Sequence, residues 1–192
     1  MTKNPGEWIR RAVADHQDLV SRFFETNNDR IIQAAGALVA ILGNGGKILF
    51  FGNGGSAADA QHFASELVGT MGRDWQGLAA IALTTDSSVL TSLANDFDYG
   101  SVFARQIRAL GKKGDAAIGI STSGRSPNIN QGLRVAREAG LHTFAFLGGN
   151  GGEALEQAET IFLVPGKETQ RIQETHLMLG HLLCEMVVEG CH

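Results

Sequence analysis

The sequence predicts an α/β protein, a doubly wound, mainly parallel five-stranded sheet with an N-terminal helical hairpin and a long C-terminal helix. Three observations carry that expectation. Five short segments are apolar throughout: Ile48–Phe51, Leu78–Leu83, Ala116–Ile120, Thr143–Leu147 and Ile161–Val164. Segments of helical length separate them. Glycine, at 25 of 192 residues, gathers in loops that include the ends of the apolar runs. Strands without polar alternation are buried on both faces, and a parallel sheet needs helices on both sides to bury them.

The elements follow in order. Residues 8–24 carry the apolar pairs Trp8/Ile9, Ala12/Val13, Leu19/Val20 and Phe23/Phe24, a broad stripe at helical spacing. Asn28 or Asp29 can cap a second helix, whose Ile31, Ile32, Ala35, Leu38, Val39 and Leu42 repeat the pattern until Gly43-Asn44-Gly45-Gly46 stops it. Such a hairpin needs cover for its apolar surface, and another subunit would provide it. Between the strands, Ser56–Met71, Ser88–Leu93 with Val102–Leu110, and Pro127–Ala139 read as helices. A last helix runs from about Glu168 to Val188. The expected organisation is one domain, with residues 1–45 as the hairpin, 46–167 as the α/β core and 168–192 as the terminal helix. A chain of this length buries one sizeable core without splitting.

Composition excludes several classes. Sixteen Lys+Arg against 20 Asp+Glu give a net charge of −4, so the basic face of a nucleic-acid binder is not expected. No apolar run approaches the ~20 residues that span a bilayer. The start, MTKNPGEWIRR, has no apolar leader core, which points to the cytoplasm. Cys184 and Cys191 are seven residues apart, roughly 10 Å of rise on one helix and too far for a disulfide.

Two loops look made for an anion. The first strand runs into Gly52-Asn53-Gly54-Gly55-Ser56 and then helix, where a glycine backbone and free N–H groups can approach a phosphate. Gly52-x-Gly54-x-x-Ala57 formally matches a dinucleotide fingerprint. The acidic residue expected ~20 positions onward is not evident, and no Lys-Ser/Thr pair closes the loop as in a P-loop. No nucleotide cofactor is expected. The third strand ends in Ser121-Thr122-Ser123-Gly124-Arg125-Ser126-Pro127, with four hydroxyls in six residues and a proline suited to the first helical turn. Capping alone does not need four hydroxyls. In a sheet of order 2-1-3-4-5 the first and third strands are neighbours at the switch point, so both loops face one crevice. The ligand expected there is a small phosphorylated molecule.

A polar set lies nearby. His62 and Glu66 share one helix face, one turn beyond the first loop. Gln173 and His181 lie on the terminal helix, eight apart, and converge only through their side chains. His176 is better suited to a buried core role. His, Glu, Gln and His are plausible zinc ligands by type, Gln being the uncommon one, but their spacing alone does not show a metal.

Phe51-Gly-Asn-Gly-Gly-Ser56, Ile120-Ser-Thr-Ser-Gly-Arg-Ser126 and Arg171-Ile-Gln-Glu-Thr-His176, with Ala94-Asn95-Asp96-Phe97 and the His62/Glu66/Gln173/His181 set, resemble the sugar isomerase (SIS) family, in particular its phosphoheptose isomerases. The resemblance covers nearly the whole chain. It implies aldose–ketose isomerisation of sedoheptulose 7-phosphate to D-glycero-D-manno-heptose 7-phosphate through an enediol, the first step of activated-heptose biosynthesis. It implies one zinc ion per subunit, held by His62, Glu66, Gln173 and His181, and a cytoplasmic homotetramer with active sites at subunit contacts. Glu66 and His181 become the catalytic pair. Asn53, Gly54, Gly55, Ser56, Glu66, Asn95, Asp96, Ser121, Thr122, Ser123, Ser126 and Gln173 become the sugar-phosphate site. Arg125 departs from the smaller polar residues frequent at its position. Two alternatives stay open: a non-catalytic regulator related to the DnaA initiator-associating protein, and an isomerase of another sugar phosphate. The former lacks counterparts of Glu66 and His181, and the latter generally lack the His/Glu/Gln/His set.

Overall fold

A computed structural model describes residues 4–192. The elements are α1 (Pro5–Gly43), β1 (Ile48–Gly52), α2 (Gly55–Val68), β2 (Ala80–Ala82), α3 (Ser87–Asp96), α4 (Val102–Leu110), β3 (Ala116–Ser121), α5 (Pro127–Glu138), β4 (His142–Gly148), β5 (Thr160–Val164) and α6 (Thr169–Cys191). The five strands pair in parallel in the order β2-β1-β3-β4-β5, as expected. Alternate side chains feed two cores. Ile48, Phe50, Ile118, Ile120, Phe144, Phe146 and Phe162 meet α1, α2 and α6. Leu49, Phe51, Ala117, Ala145 and Leu147 meet α4 and α5 on the other face. Strands buried this way have no room for polar alternation, which is why they read as continuous apolar runs.

The N-terminal hairpin is corrected. α1 is one helix of 39 residues, about 58 Å long. Thr26, Asn27, Asn28 and Asp29 look like a turn in sequence, yet contain neither Gly nor Pro. Asn28 and Asp29, the expected caps of a second helix, lie inside α1; just before them Thr26 Oγ1 donates to the Arg22 carbonyl at 3.0 Å and Asn27 Nδ2 to the Phe23 carbonyl at 2.8 Å. These side chains satisfy themselves on the preceding turn and the helix continues.

The buried positions of α1 begin only at Leu19 and run through Ile41. Before them, Trp8, Ile9 and Val13 are half or more exposed. This stretch is tied to α6 by polar contacts. Arg171 donates to the Ala12 carbonyl at 2.8 Å, and His16 Nδ1 lies 2.7 Å from Glu174 Oε2.

β2 is shorter than the apolar run Leu78–Leu83 suggests. It is an edge strand; Leu78 N already bonds the Leu67 carbonyl in the last turn of α2, and Leu83 N bonds Phe50 O. The register of the central pair sets where the two anion-type loops emerge. Gly52 of β1 sits opposite Ile120 of β3, so the loops after these strands leave the sheet side by side.

Candidate active site

The loop after β1 is built from backbone. α2 starts at Gly55 without any side-chain cap, which leaves the Gly54 and Gly55 N–H groups available to an anion. The Ser56 amide bonds the Asn53 carbonyl at 3.0 Å and the Ser56 side chain is buried. Gly55 has a specific reason to lack a side chain: the Gln173 carboxamide from α6 occupies the place a Cβ would take.

The loop after β3 is built from hydroxyls. Ser121 Oγ accepts from the Gly124 amide at 3.1 Å and lies 3.4 Å from Ser126 Oγ, while Ser123 Oγ accepts from the Arg125 amide at 3.2 Å. Thr122 is half-buried. Ser126 precedes Pro127, but makes no capping bond to α5. The loop is propped from behind, where Ala154 N donates to the Gly124 carbonyl at 3.0 Å.

The two loops are joined. Asn53 and Asn128 exchange two carboxamide bonds, at 2.9 and 2.8 Å, and Tyr99 Oη donates to Asn53 Oδ1 at 3.3 Å. Asn95 and Asp96, on the last turn of α3, are exposed and bond each other at 2.9 Å. No hydrogen bond connects them to either loop among the described residues.

The polar set does assemble. His62, Glu66 and His181 each offer a ligand atom, all within 4.8 Å of one another. His62 Nε2 is 2.6 Å from His181 Nε2 and 3.5 Å from Glu66 Oε1. Two neutral imidazoles at this distance need one nitrogen to donate and the other to accept. Close helix packing makes the meeting possible. A Cβ on Gly180 would overlap the Phe63 ring, so the bare backbone of α6 presses onto α2 and carries His181 to His62. Gln173 lies two turns earlier on α6, over Gly55, at the edge of the loop and not hydrogen-bonded to the cluster. His176 is fully buried and bonds the Leu147 carbonyl at 3.0 Å, the core role expected for it.

Two neighbours escaped the sequence reading. Asp59 stands one turn before His62, and its Oδ2 is buried without a hydrogen-bond partner. Burial raises its pKa to about 6, against the opposing pull of His62. The i,i+3 spacing to His62 was a usable signal. Asn128 is the second residue of α5, hidden behind the Ser-Pro start that reads as a complete helix cap. Beneath the cluster, the Cys184 thiol is buried and pushed up to about 12 by that burial and by Glu66 and Glu185, which makes it inert. Neither cysteine is in a disulfide.

Comparison with known proteins places this architecture. The family described as SIS domain matches residues 13–148. Phosphoheptose isomerase of Aquifex aeolicus is 48% identical over 183 residues, covering 95% of this chain and 96% of that protein. Its counterpart in Thermodesulfovibrio yellowstonii is 48% identical over 93% of this chain and 89% of its own. Among solved structures, phosphoheptose isomerase from Neisseria gonorrhoeae superposes with a TM-score of 0.90 at 40% identity, covering 96% of this chain and 98% of that one. The Francisella tularensis enzyme gives 0.92 at 34%, covering 98% and 100%. A more distant chain solved with A5P, at 15% identity, shares the fold with a TM-score of 0.68.

Proposed function

The chain belongs to the phosphoheptose isomerase family of SIS-domain proteins, and on that premise we propose that it interconverts sedoheptulose 7-phosphate and D-glycero-D-manno-heptose 7-phosphate, opening activated-heptose biosynthesis. The carrying observation is the convergence of a carboxylate and two imidazoles, Glu66 and His62 from the helix that leaves the glycine loop and His181 from α6. A phosphate-binding module without chemistry has no need of them.

The reaction moves one proton from C1 of the ketose to C2, and protons between the two oxygens. Glu66 is the base that takes the C1 proton, exchanges it with solvent and delivers a proton at C2. His181 exchanges protons with the oxygens. The hydroxyls of Ser121, Thr122, Ser123 and Ser126, with the Asn128 N–H at the start of α5, hold the phosphate. The N–H groups of Gly54 and Gly55 complete the cradle from the β1 side, with Asn53 and Ser56 beside them. Asn95, Asp96 and Gln173 serve the sugar hydroxyls.

The donor set suits zinc. Two imidazole nitrogens and a carboxylate oxygen already face one another, and the Gln173 carboxamide is the remaining neutral donor on the adjoining helix. When bound, such an ion supplies positive charge to the oxygens of the enediolate. The exposed Trp8, Ile9 and Val13 on α1 support a homotetramer with sites at its contacts. No helix among the described residues is long and apolar enough to cross a membrane, which agrees with a cytoplasmic enzyme.

Two measurements test this reading. Purified protein given sedoheptulose 7-phosphate should form the aldose, and treatment with a chelator followed by zinc should lower and then restore the rate. Binding without turnover under every metal condition would overturn it. Light scattering should give a mass near four times 20.4 kDa, and a monomer at micromolar concentration would remove the shared-site picture.

A further inference from the structure

Asn128 is 2% exposed, and its side chain is devoted almost wholly to one other residue. Its Nδ2 donates to Asn53 Oδ1 at 2.8 Å while its Oδ1 accepts from Asn53 Nδ2 at 2.9 Å. A pair of carboxamides joined this way can be drawn with both groups turned over, because oxygen and nitrogen exchange roles together. One further bond fixes the direction. The Ile129 amide lies 3.0 Å from Asn128 Oδ1, and a backbone N–H can only donate. Asn128 must therefore place oxygen there and turn its Nδ2 to Asn53 Oδ1. The Tyr99 hydroxyl donates to that same Asn53 oxygen at 3.3 Å.

The consequence falls on Asn53. Its Oδ1 already accepts two bonds, which fills both lone pairs. One hydrogen of its Nδ2 is engaged by Asn128, and the second has no acceptor among the described residues. Asn53 thus has a donor left for a ligand, and no acceptor. A phosphate oxygen requires that polarity and a sugar oxygen can accept it, and nothing in the Gly-Asn-Gly-Gly sequence itself dictates it.

We propose that Asn128 is a positioning residue for the isomerase, fixing the Asn53 carboxamide so that it offers an N–H, not a carbonyl, to the substrate. The inference rests on this crevice being the sugar-phosphate site. It also explains how the start of α5 informs the loop on the neighbouring strand, since the orientation passes from the Ile129 amide through Asn128 to Asn53.

Three variants test it. Asn128→Asp keeps the size and the Ile129 bond and suits the first turn of a helix, but cannot donate to Asn53 Oδ1. Asn128→Ala removes the anchor. Tyr99→Phe removes only the weaker donor. Both Asn128 variants should raise KM for sedoheptulose 7-phosphate, and its Kd by calorimetry, by roughly tenfold or more. Asn128→Asp should be at least as damaging as Asn128→Ala while melting closer to wild type, and Tyr99→Phe should show a smaller rise in the same direction.

A space-filling role gives the opposite order, with Asn128→Asp near wild type and Asn128→Ala impaired. That order overturns the proposal. Unchanged affinity in folded Asn128→Ala does so too, as does an Asn128→Asp defect that vanishes at high salt and so marks simple charge repulsion. Calorimetry separates this from failure of the isomerase reading. Wild type that binds the sugar phosphate without isomerising it ends that reading, yet the order of affinities still decides the role of Asn128; wild type that does not bind it at all ends both.

Discussion

Two histidines five residues apart on α6 show how one residue type becomes structure or chemistry. They point about 140° apart around the helix. His176 faces the sheet, fully buried, and donates from Nε2 to the Leu147 carbonyl at 3.0 Å. Burial depresses its pKa to about 4, so it is neutral at working pH. His181 faces α2, half-buried, with its Nε2 against a second imidazole and within reach of Glu66. The first has a backbone partner that cannot change its protonation. The second faces an imidazole and a carboxylate, groups that can pass a proton or hold a cation.

The largest expected effect lies on the α2-facing side. Glu66→Gln preserves size and hydrogen bonding but removes the base, so kcat should fall by the ~10²–10⁴ typical of lost general catalysis. His181→Asn should fall comparably, with little change in melting temperature for either. Zinc content sharpens the assignment, because loss of a ligand lowers bound metal whereas loss of an acid alone leaves it. Either variant retaining wild-type turnover breaks the contrast.

On the buried side the currency is stability. His176→Ala should destabilise by about 3 kcal/mol in denaturant titrations, through the lost packing and the orphaned carbonyl. The folded fraction should keep its kcat. A His176→Ala protein as stable as wild type, but inactive, would exchange the two roles.

Acid separates the sides further. Because the folded His176 pKa lies below the unfolded value of 6.5, its contribution is fully present above about pH 6.5. It is lost as pH falls through about 4, on the order of 3 kcal/mol in all. Asp59 slopes the other way. Its folded pKa is raised from 3.8 to about 6, so its contribution is present below pH 3.8 and lost as pH rises through about 6. Partial solvent access makes that effect smaller. Urea midpoints followed from pH 7 to pH 4 should therefore decline more steeply for wild type than for His176→Ala.

The smallest effect belongs to the serine loop. Ser123→Ala should weaken sugar-phosphate binding by about 1–2 kcal/mol and leave the fold intact. Unchanged affinity by calorimetry would return this loop to an ordinary helix start.

Much of this was legible in the sequence, for reasons visible in the structure. The central strands β1, β3 and β4 are apolar runs because both faces are covered, and the loops after β1 and β3 announce themselves by glycine and hydroxyl density at strand ends. His62 and Glu66 show in helical spacing. The continuity of α1 did not, because Thr26 and Asn27 hydrogen-bond backward within a helix with the same residues that start one elsewhere. Nor did Asn128, whose role exists only once β1 and β3 lie side by side. Gly180 conveys a similar lesson: its missing side chain lets His181 reach His62, a cause lodged in a contact 117 residues away, at Phe63.

The central claim is proton transfer at carbon in the crevice beside Glu66. It is tested most directly by incubating the protein with sedoheptulose 7-phosphate in deuterium oxide and following both sugars by NMR. The account predicts aldose carrying solvent deuterium at C2, matching label at C1 of the recovered ketose, and neither signal with Glu66→Gln. Aldose formed with no deuterium, or bound ketose that never reacts, would contradict it.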